Sequence, residues 1–185
     1  QELNTFETEW GFSCMGYEIS GALGIKMAKP DQDVIVFVGD GSYLLANSDI
    51  YSSVLYDKKL IIVVCDNGGH MVINRLQLAK GGKEYICNLR KAGATNLQFV
   101  DFEAHARSMG ANAETVTSTS ELEAAFLRAK QSDKTYVISL KTDGYEWLDG
   151  TAFWESPTLE VHSTNENKKA FEELTEGKNK QRKGV

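Results

Sequence analysis

Two continuous apolar runs constrain this chain more than anything else in it. The stretches "DVIVFV" (33–38) and "LIIVVC" (60–65) are rich in β-branched residues and lack the polar alternation of a half-exposed strand. Such runs fit strands buried on both faces, as in a parallel sheet with helices on each side. The segments between them support this. Residues 16–29, "GYEISGALGIKMAK", have helical apolar spacing with small residues on one face, and Pro30 follows as a stop. Residues 46–57, "ANSDIYSSVLYD", read as a second helix. Further on, "DFEAHARSMG" predicts a helix ending at Gly110, "NAETVT" a short strand, and "KTYVISLKT" a last strand. Between those strands "STSELEAAFLRAKQS" predicts a helix capped at or beside Ser120, its acidic start and basic end matched to the helix dipole. Strand and helix alternate four times, so the expected fold is α/β with a doubly wound parallel sheet.

Other stretches are less regular. Residues 71–79, "MVINRLQLA", read as a helix or an ordered loop, and the glycine-bearing stretch 81–96 as loop. From about residue 142 the chain turns aromatic and irregular. A short charged helix, "TNENKKAFEELTEG", and a basic, disordered end follow. The expected division is therefore 1–142 as one α/β domain and 143–185 as an extension. Trp147, Phe153 and Trp154 of that extension would pack on the main domain or on a neighbouring chain.

The 185 residues carry 20 basic and 26 acidic side chains, a net charge of −6 that disfavours general nucleic-acid binding. No apolar run approaches membrane-spanning length and no signal pattern opens the chain, so a soluble, cytoplasmic protein is expected. Three cysteines without close pairing do not form a disulfide framework. The opening "QELNTFETEWGF" has no initiating Met and reads as the interior of a longer protein.

In a parallel α/β sheet, ligands gather at the carboxyl ends of the strands. The first run ends in Gly39-Asp40-Gly41-Ser42 and the second in Asp66-Asn67-Gly68-Gly69. If the strands are neighbours, a carboxylate, an amide oxygen and glycine carbonyls meet there. These are hard oxygen donors of the kind Mg²⁺ takes alongside phosphate and water. The glycines would permit close approach and positive φ, and Ser42 and Tyr43 would stand near a helix start. Alone, the "GDG" stretch is better explained by an ordinary turn. No G-x-G-x-x-G follows the first strand and no P-loop lysine is present, which weakens a nucleotide-binding reading.

The pair, with Asp40 and Asn67 27 positions apart, resembles the pyrophosphate-binding domain of the thiamine diphosphate enzymes. The resemblance spans about residues 10–142. It implies that Asp40, Asn67 and the carbonyl of Gly69 bind Mg²⁺ or Ca²⁺, and that the metal anchors the cofactor's diphosphate. Gly39, Gly41 and Ser42 would line the diphosphate site. Upstream, "CMGYEISGALG" resembles the family's "TMG…PAAIGA" segment, placing Met15 beside Gly16 where the cofactor's bent form is supported. Glu18 to Gly21 depart from the family's usual "LPAA" there.

Within that family, "DNGGHMVINRLQLAKGG" followed by "NL", and the tail "WESPTLEVHS", resemble the trihydroxycyclohexane-1,2-dione hydrolase group of myo-inositol catabolism. The "FW" at 153–154 departs from that group's "WW". The resemblance implies hydrolysis of a C–C bond in a cyclic 1,2-diketone and assembly as a homodimer or homotetramer. It also implies an activating glutamate on a missing N-terminal domain or a partner subunit. Glu2, Glu7, Glu9 and Glu18 sit in no such motif, so this chain alone is expected to be inactive. His70 is a candidate proton carrier, and equally a loop histidine bonded to solvent or backbone. Arg75 could meet an acidic product or form a surface ion pair. The rival readings are an acetolactate-synthase-like carboligase or a decarboxylase of the same family, and a non-catalytic α/β nucleotide-binding or interaction domain.

Overall fold

A computed structural model of the chain describes residues 5–8, 12–147 and 158–181. Contacts group the residues into two units, Gln1–Gly69 with Gln98–Thr142 and His70–Leu97 with Asp143–Val185. The segment after the second strand thus groups with the C-terminal part rather than with the sheet.

The first unit holds α1 (Tyr17–Ala28), β1 (Ile35–Gly39), α2 (Asp40–Leu45), α3 (Ser48–Leu55), β2 (Ile61–Asp66), α5 (Phe102–Ser108), β3 (Asn112–Val116), α6 (Thr119–Gln131) and β4 (Tyr136–Lys141). All strand pairings are parallel, in the order β1-β2-β4-β3. One face is closed by α1, α3 and α5 through Ile19, Leu23, Ile50, Phe102 and Ala106. The other is closed by α6, whose Ala125 and Ala129 pack on Ile61, Val116 and Ile138. Each fully buried aliphatic side chain of this kind contributes about 1.5–3 kcal/mol.

The apolar runs behave differently. In β2 every residue but Cys65 is buried. In β1, Val36 and Val38 are buried, whereas Ile35 is 45% exposed and Phe37 68% exposed. The sequence predicts burial on both faces for each strand. β1 departs because it is an edge strand, and among the described residues α6 covers only its neighbours. The cap of α6 is Ser118, whose side chain accepts from Glu121 N, rather than Ser120.

The second unit contains α4 (Met71–Ala79) and α7 (Asn165–Lys180). The ambiguous stretch 71–79 is therefore helical, and the charged tail helix runs on to Lys180. Thr164 caps α7 by accepting from Asn167 N, and Asn167 Nδ2 donates to Lys80 O at 3.1 Å. Arg75 lies over the Trp147 ring, 4.6 Å from its centroid. Phe153 and Trp154 fall outside the described residues. Among the described residues no helix is long and apolar enough to cross a membrane.

Candidate functional site

The register pairs Gly39 with Cys65, so the two strands end side by side. Asp40 opens α2 directly after extended Gly39, and Asn67 to Gly69 turn away from the end of β2. Both conformations needed for that turn come from glycine, with φ of +87° at Gly68 and +140° at Gly69. Positive φ is thus required on the second strand's loop and not at Gly39, which has φ −74° and ψ 154°. A Cβ built at Gly39 would meet no heavy atom within 4 Å. Neither backbone nor packing demands glycine there, which leaves open space beside Asp40.

Three oxygens converge at this point. Asn67 Oδ1 lies 3.1 Å from Asp40 Oδ1 and 2.8 Å from the Gly69 carbonyl oxygen. Two arrangements of the amide satisfy such a cluster. Turned over, its NH₂ donates to both partners. Kept as it is, the three oxygens form a hard donor set that fits a divalent cation. The set draws on an amide and a backbone carbonyl, and no group of three His, Cys, Asp or Glu side chains with metal-binding placement occurs among the described residues.

Asp40 is only 3% exposed. Burial first, and then the charge of Asp66, push its carboxyl above the usual carboxylate range, while backbone N–H groups of Gly69, Asn67 and Gly41 pull it back. A cation there would relieve the crowding of negative charge. Asp66 is buried too. It accepts from Gly68 N at 3.2 Å and pairs with Lys141 Nζ, while its carbonyl accepts from Thr142 N at 2.9 Å. It stiffens the loop that carries Asn67. Sequence reasoning assigned Asp66 no role, although a carboxylate ending a buried strand one residue before a candidate ligand was the available signal.

Gly41 and Ser42 are buried in the first turn of α2. Tyr43, fully buried, anchors that helix: its hydroxyl meets His105 Nδ1 at 2.9 Å and its ring packs edge-on against Phe102. Gly16 sits at φ +97°, and a Cβ on it would come within 2.7 Å of Ala46 Cβ. That glycine lets the start of α1 approach the residues that follow α2. Met15 beside it is 47% exposed and fills no core gap. His70 opens the second unit, with its N–H donating to Cys87 O at 2.8 Å and Nδ1 buried without a hydrogen-bond partner among the described residues.

Residues 1–140 match the family model described as "Thiamine pyrophosphate enzyme, C-terminal TPP binding domain". The chain belongs to this family. Curated relatives include the 3D-(3,5/4)-trihydroxycyclohexane-1,2-dione hydrolase of Halalkalibacterium halodurans, 39% identical over 175 residues, covering 91% of this chain and 27% of that protein. The Bacillus subtilis protein of the same name is 37% identical, covering 91% of this chain and 26% of its own length. The chain thus spans about a quarter of the relatives it matches. Among solved structures, the Rhodococcus jostii thiamine diphosphate-dependent 4-hydroxybenzoylformate decarboxylase superposes with a TM-score of 0.58 at 23% identity, covering 70% of this chain and 23% of that one. That likeness concerns the fold, and the parallel sheet with helices on both faces agrees with it.

Proposed function

We propose that this thiamine diphosphate-binding domain holds Mg²⁺ through Asp40, Asn67 and the Gly69 carbonyl. The parent enzyme would hydrolyse a C–C bond of trihydroxycyclohexane-1,2-dione in myo-inositol catabolism. The observation that carries the metal site is the convergence of Asp40 Oδ1, the Gly69 carbonyl oxygen and the Asn67 amide, whose end lies within 3.1 Å of both and presents its oxygen to a cation in one of its two arrangements. The substrate is taken from the name of relatives alike over 91% of the chain.

In this reading Asp40, Asn67 and the Gly69 carbonyl would hold a hard cation, which would anchor the cofactor's diphosphate. Open space at Gly39, with Gly41 and Ser42 in the first turn of α2, accommodates the diphosphate. Met15 and Gly16 support the rest of the cofactor. When bound, thiamine diphosphate supplies the electron sink that lets a C–C bond beside a ketone break. The chain's own residues bind and orient. Asp40 and Asn67 fix the anchor point, while Asp66 with Lys141 holds their loop in place. The activating glutamate belongs to the rest of the polypeptide or to a partner subunit, so the chain alone binds weakly and does not turn over. Assembly as a homodimer or homotetramer and a cytoplasmic location complete the proposal.

The test is calorimetric titration of thiamine diphosphate with Mg²⁺ into the full-length protein and the chain alone, each as wild type and Asp40→Ala. Metal-dependent binding that disappears in Asp40→Ala supports the site. Absence of binding in both wild-type forms refutes it. Turnover by the full-length protein of the dione and not of pyruvate separates the hydrolase from a carboligase or decarboxylase.

A further inference from the structure

Two carboxylates stand at the carboxyl ends of neighbouring strands, and only one of them belongs to the proposed cation position. Asp40 opens α2 directly after β1, and Asp66 closes β2. Both are buried. Burial and then the charge of Asp66 raise the Asp40 carboxyl above its ordinary value, so the two groups interact through space. Left uncompensated, the pair would offer a divalent cation enough charge to hold it without help.

Asp66 is compensated. Its Oδ1 accepts from Gly68 N at 3.2 Å, and its Oδ2 pairs with Lys141 Nζ, so both oxygens are committed. The pairing is built into the sheet, because the register sets Asp66 beside Lys141 on parallel β2 and β4. The Lys141 ammonium also lies over the Phe99 ring, 5.3 Å from its centroid. The Lys141 side chain is 63% exposed, whereas Asp66 is buried. An ion pair between two exposed side chains contributes little. Here a lysine held on two sides reaches from the surface onto a carboxylate that would otherwise be a bare buried charge.

Asp40, Asp66 and Lys141 together leave one net negative charge at these strand ends. The affinity of an oxygen site for a divalent cation follows the charge and rigidity of its ligands. One net charge leaves part of the cation's own charge unmatched, and a diphosphate can supply the remainder. A site with two would bind the cation by itself, and the diphosphate would add less.

We propose that Lys141 is the positioning residue that ties the cation to the cofactor. By neutralising Asp66 and keeping it out of the ligand set, it makes cation and diphosphate bind as a unit rather than one after the other. The inference rests on the metal-site reading of this domain.

The test titrates Mg²⁺ alone, and then thiamine diphosphate with Mg²⁺, into the full-length protein as wild type, Lys141→Met, Asp66→Asn and the double variant, at one pH and one salt concentration. Mg²⁺ alone should bind Lys141→Met at least about fivefold more tightly than wild type. Asp66→Asn keeps an acceptor for Gly68 N and removes the charge, so it should bind Mg²⁺ alone at least about fivefold more weakly. The double variant restores one net negative charge and should match wild type within about twofold. The factor by which thiamine diphosphate tightens Mg²⁺ should fall in Lys141→Met. A role limited to stiffening the loop predicts weaker Mg²⁺ binding in all three variants, and that result overturns the inference, as does unchanged binding. If Lys141→Met does not fold, recovery of the weakened Asp66→Asn by the second substitution decides the same question. Wild type that binds no thiamine diphosphate with Mg²⁺ overturns the metal-site reading, and this inference with it.

Discussion

Gly39→Ala separates stability from cofactor binding at a single methyl group. The backbone there, φ −74° and ψ 154°, is open to any residue, and no heavy atom lies within 4 Å of the new Cβ. The folded state accepts the methyl without strain and the unfolded chain loses freedom, a gain of about 0.4–1 kcal/mol. Gly16→Ala is the control of opposite sign. Its φ of +97° and the 2.7 Å approach to Ala46 Cβ combine a left-handed backbone cost of about 1–2 kcal/mol with an overpacking cost of about 1–3 kcal/mol. Urea unfolding of the chain, with a slope of about 2 kcal/mol/M, converts these into midpoint shifts of roughly +0.2 to +0.5 M and −1 to −2.5 M. Calorimetric titration of the full-length protein then reads the functional half. If the space beside Asp40 is reserved for the diphosphate, Gly39→Ala weakens metal-dependent cofactor binding at least about tenfold, or 1.4 kcal/mol. A destabilised Gly39→Ala would refute the claim that the space is open. A stable variant that binds like wild type would refute the claim that the diphosphate fills it.

Four further outcomes follow from the same geometry. The Asp40 carboxyl titrates above its unfolded value of 3.8, so the folded state holds the proton longer. Its contribution to stability therefore falls as pH rises from that value through the raised folded one, and urea midpoints measured across pH should lose this slope in Asp40→Asn. Mg²⁺-dependent cofactor binding should weaken as pH falls through the same raised value, because the proton competes with the metal. Tyr43→Phe removes the hydroxyl that meets His105 Nδ1 and should cost about 1–2 kcal/mol in urea unfolding. Gly81→Ala would place a Cβ 2.7 Å from the backbone of Glu166 and Asn167 at φ +77°. Hydrogen exchange should then show α7 losing protection while β2 keeps its own.

The site was legible to the extent that its signals were local. The β-branched runs marked both strands, and the strand-end residues marked the oxygen donors, because side-chain type and turn chemistry act over a few residues. Those signals went wrong where a neighbour decided the outcome. Positive φ was expected of the strand-end glycines as a group and occurs at Gly68 and Gly69 but not at Gly39. The reason is that α2 starts at Asp40 itself and the sharp turn falls on the other loop. Burial of β1 on both faces was expected because its composition matches that of β2, and edge position overrode composition. The hydrogen bonds to Glu84 had no sequence signature, since Asn74, Asn88 and Tyr145 reach it from 10, 4 and 61 positions away.

The sequence by itself determined the class of fold, the two strand ends that carry hard oxygen donors, and the family to which those ends belong. The first two follow from residue type and spacing along the chain, and the family from the resemblance of its motifs. Only the tertiary structure decided that β1 and β2 are neighbours, that β4 inserts between β2 and β3, and that Asp40, Asn67 and Gly69 share one point within 3.1 Å. It also decided that Asp66 crowds Asp40, and that Asn74, Asn88 and Tyr145 gather on Glu84. These are contacts across long stretches of chain. Their formation depends on which faces the whole core closes, which no local pattern encodes.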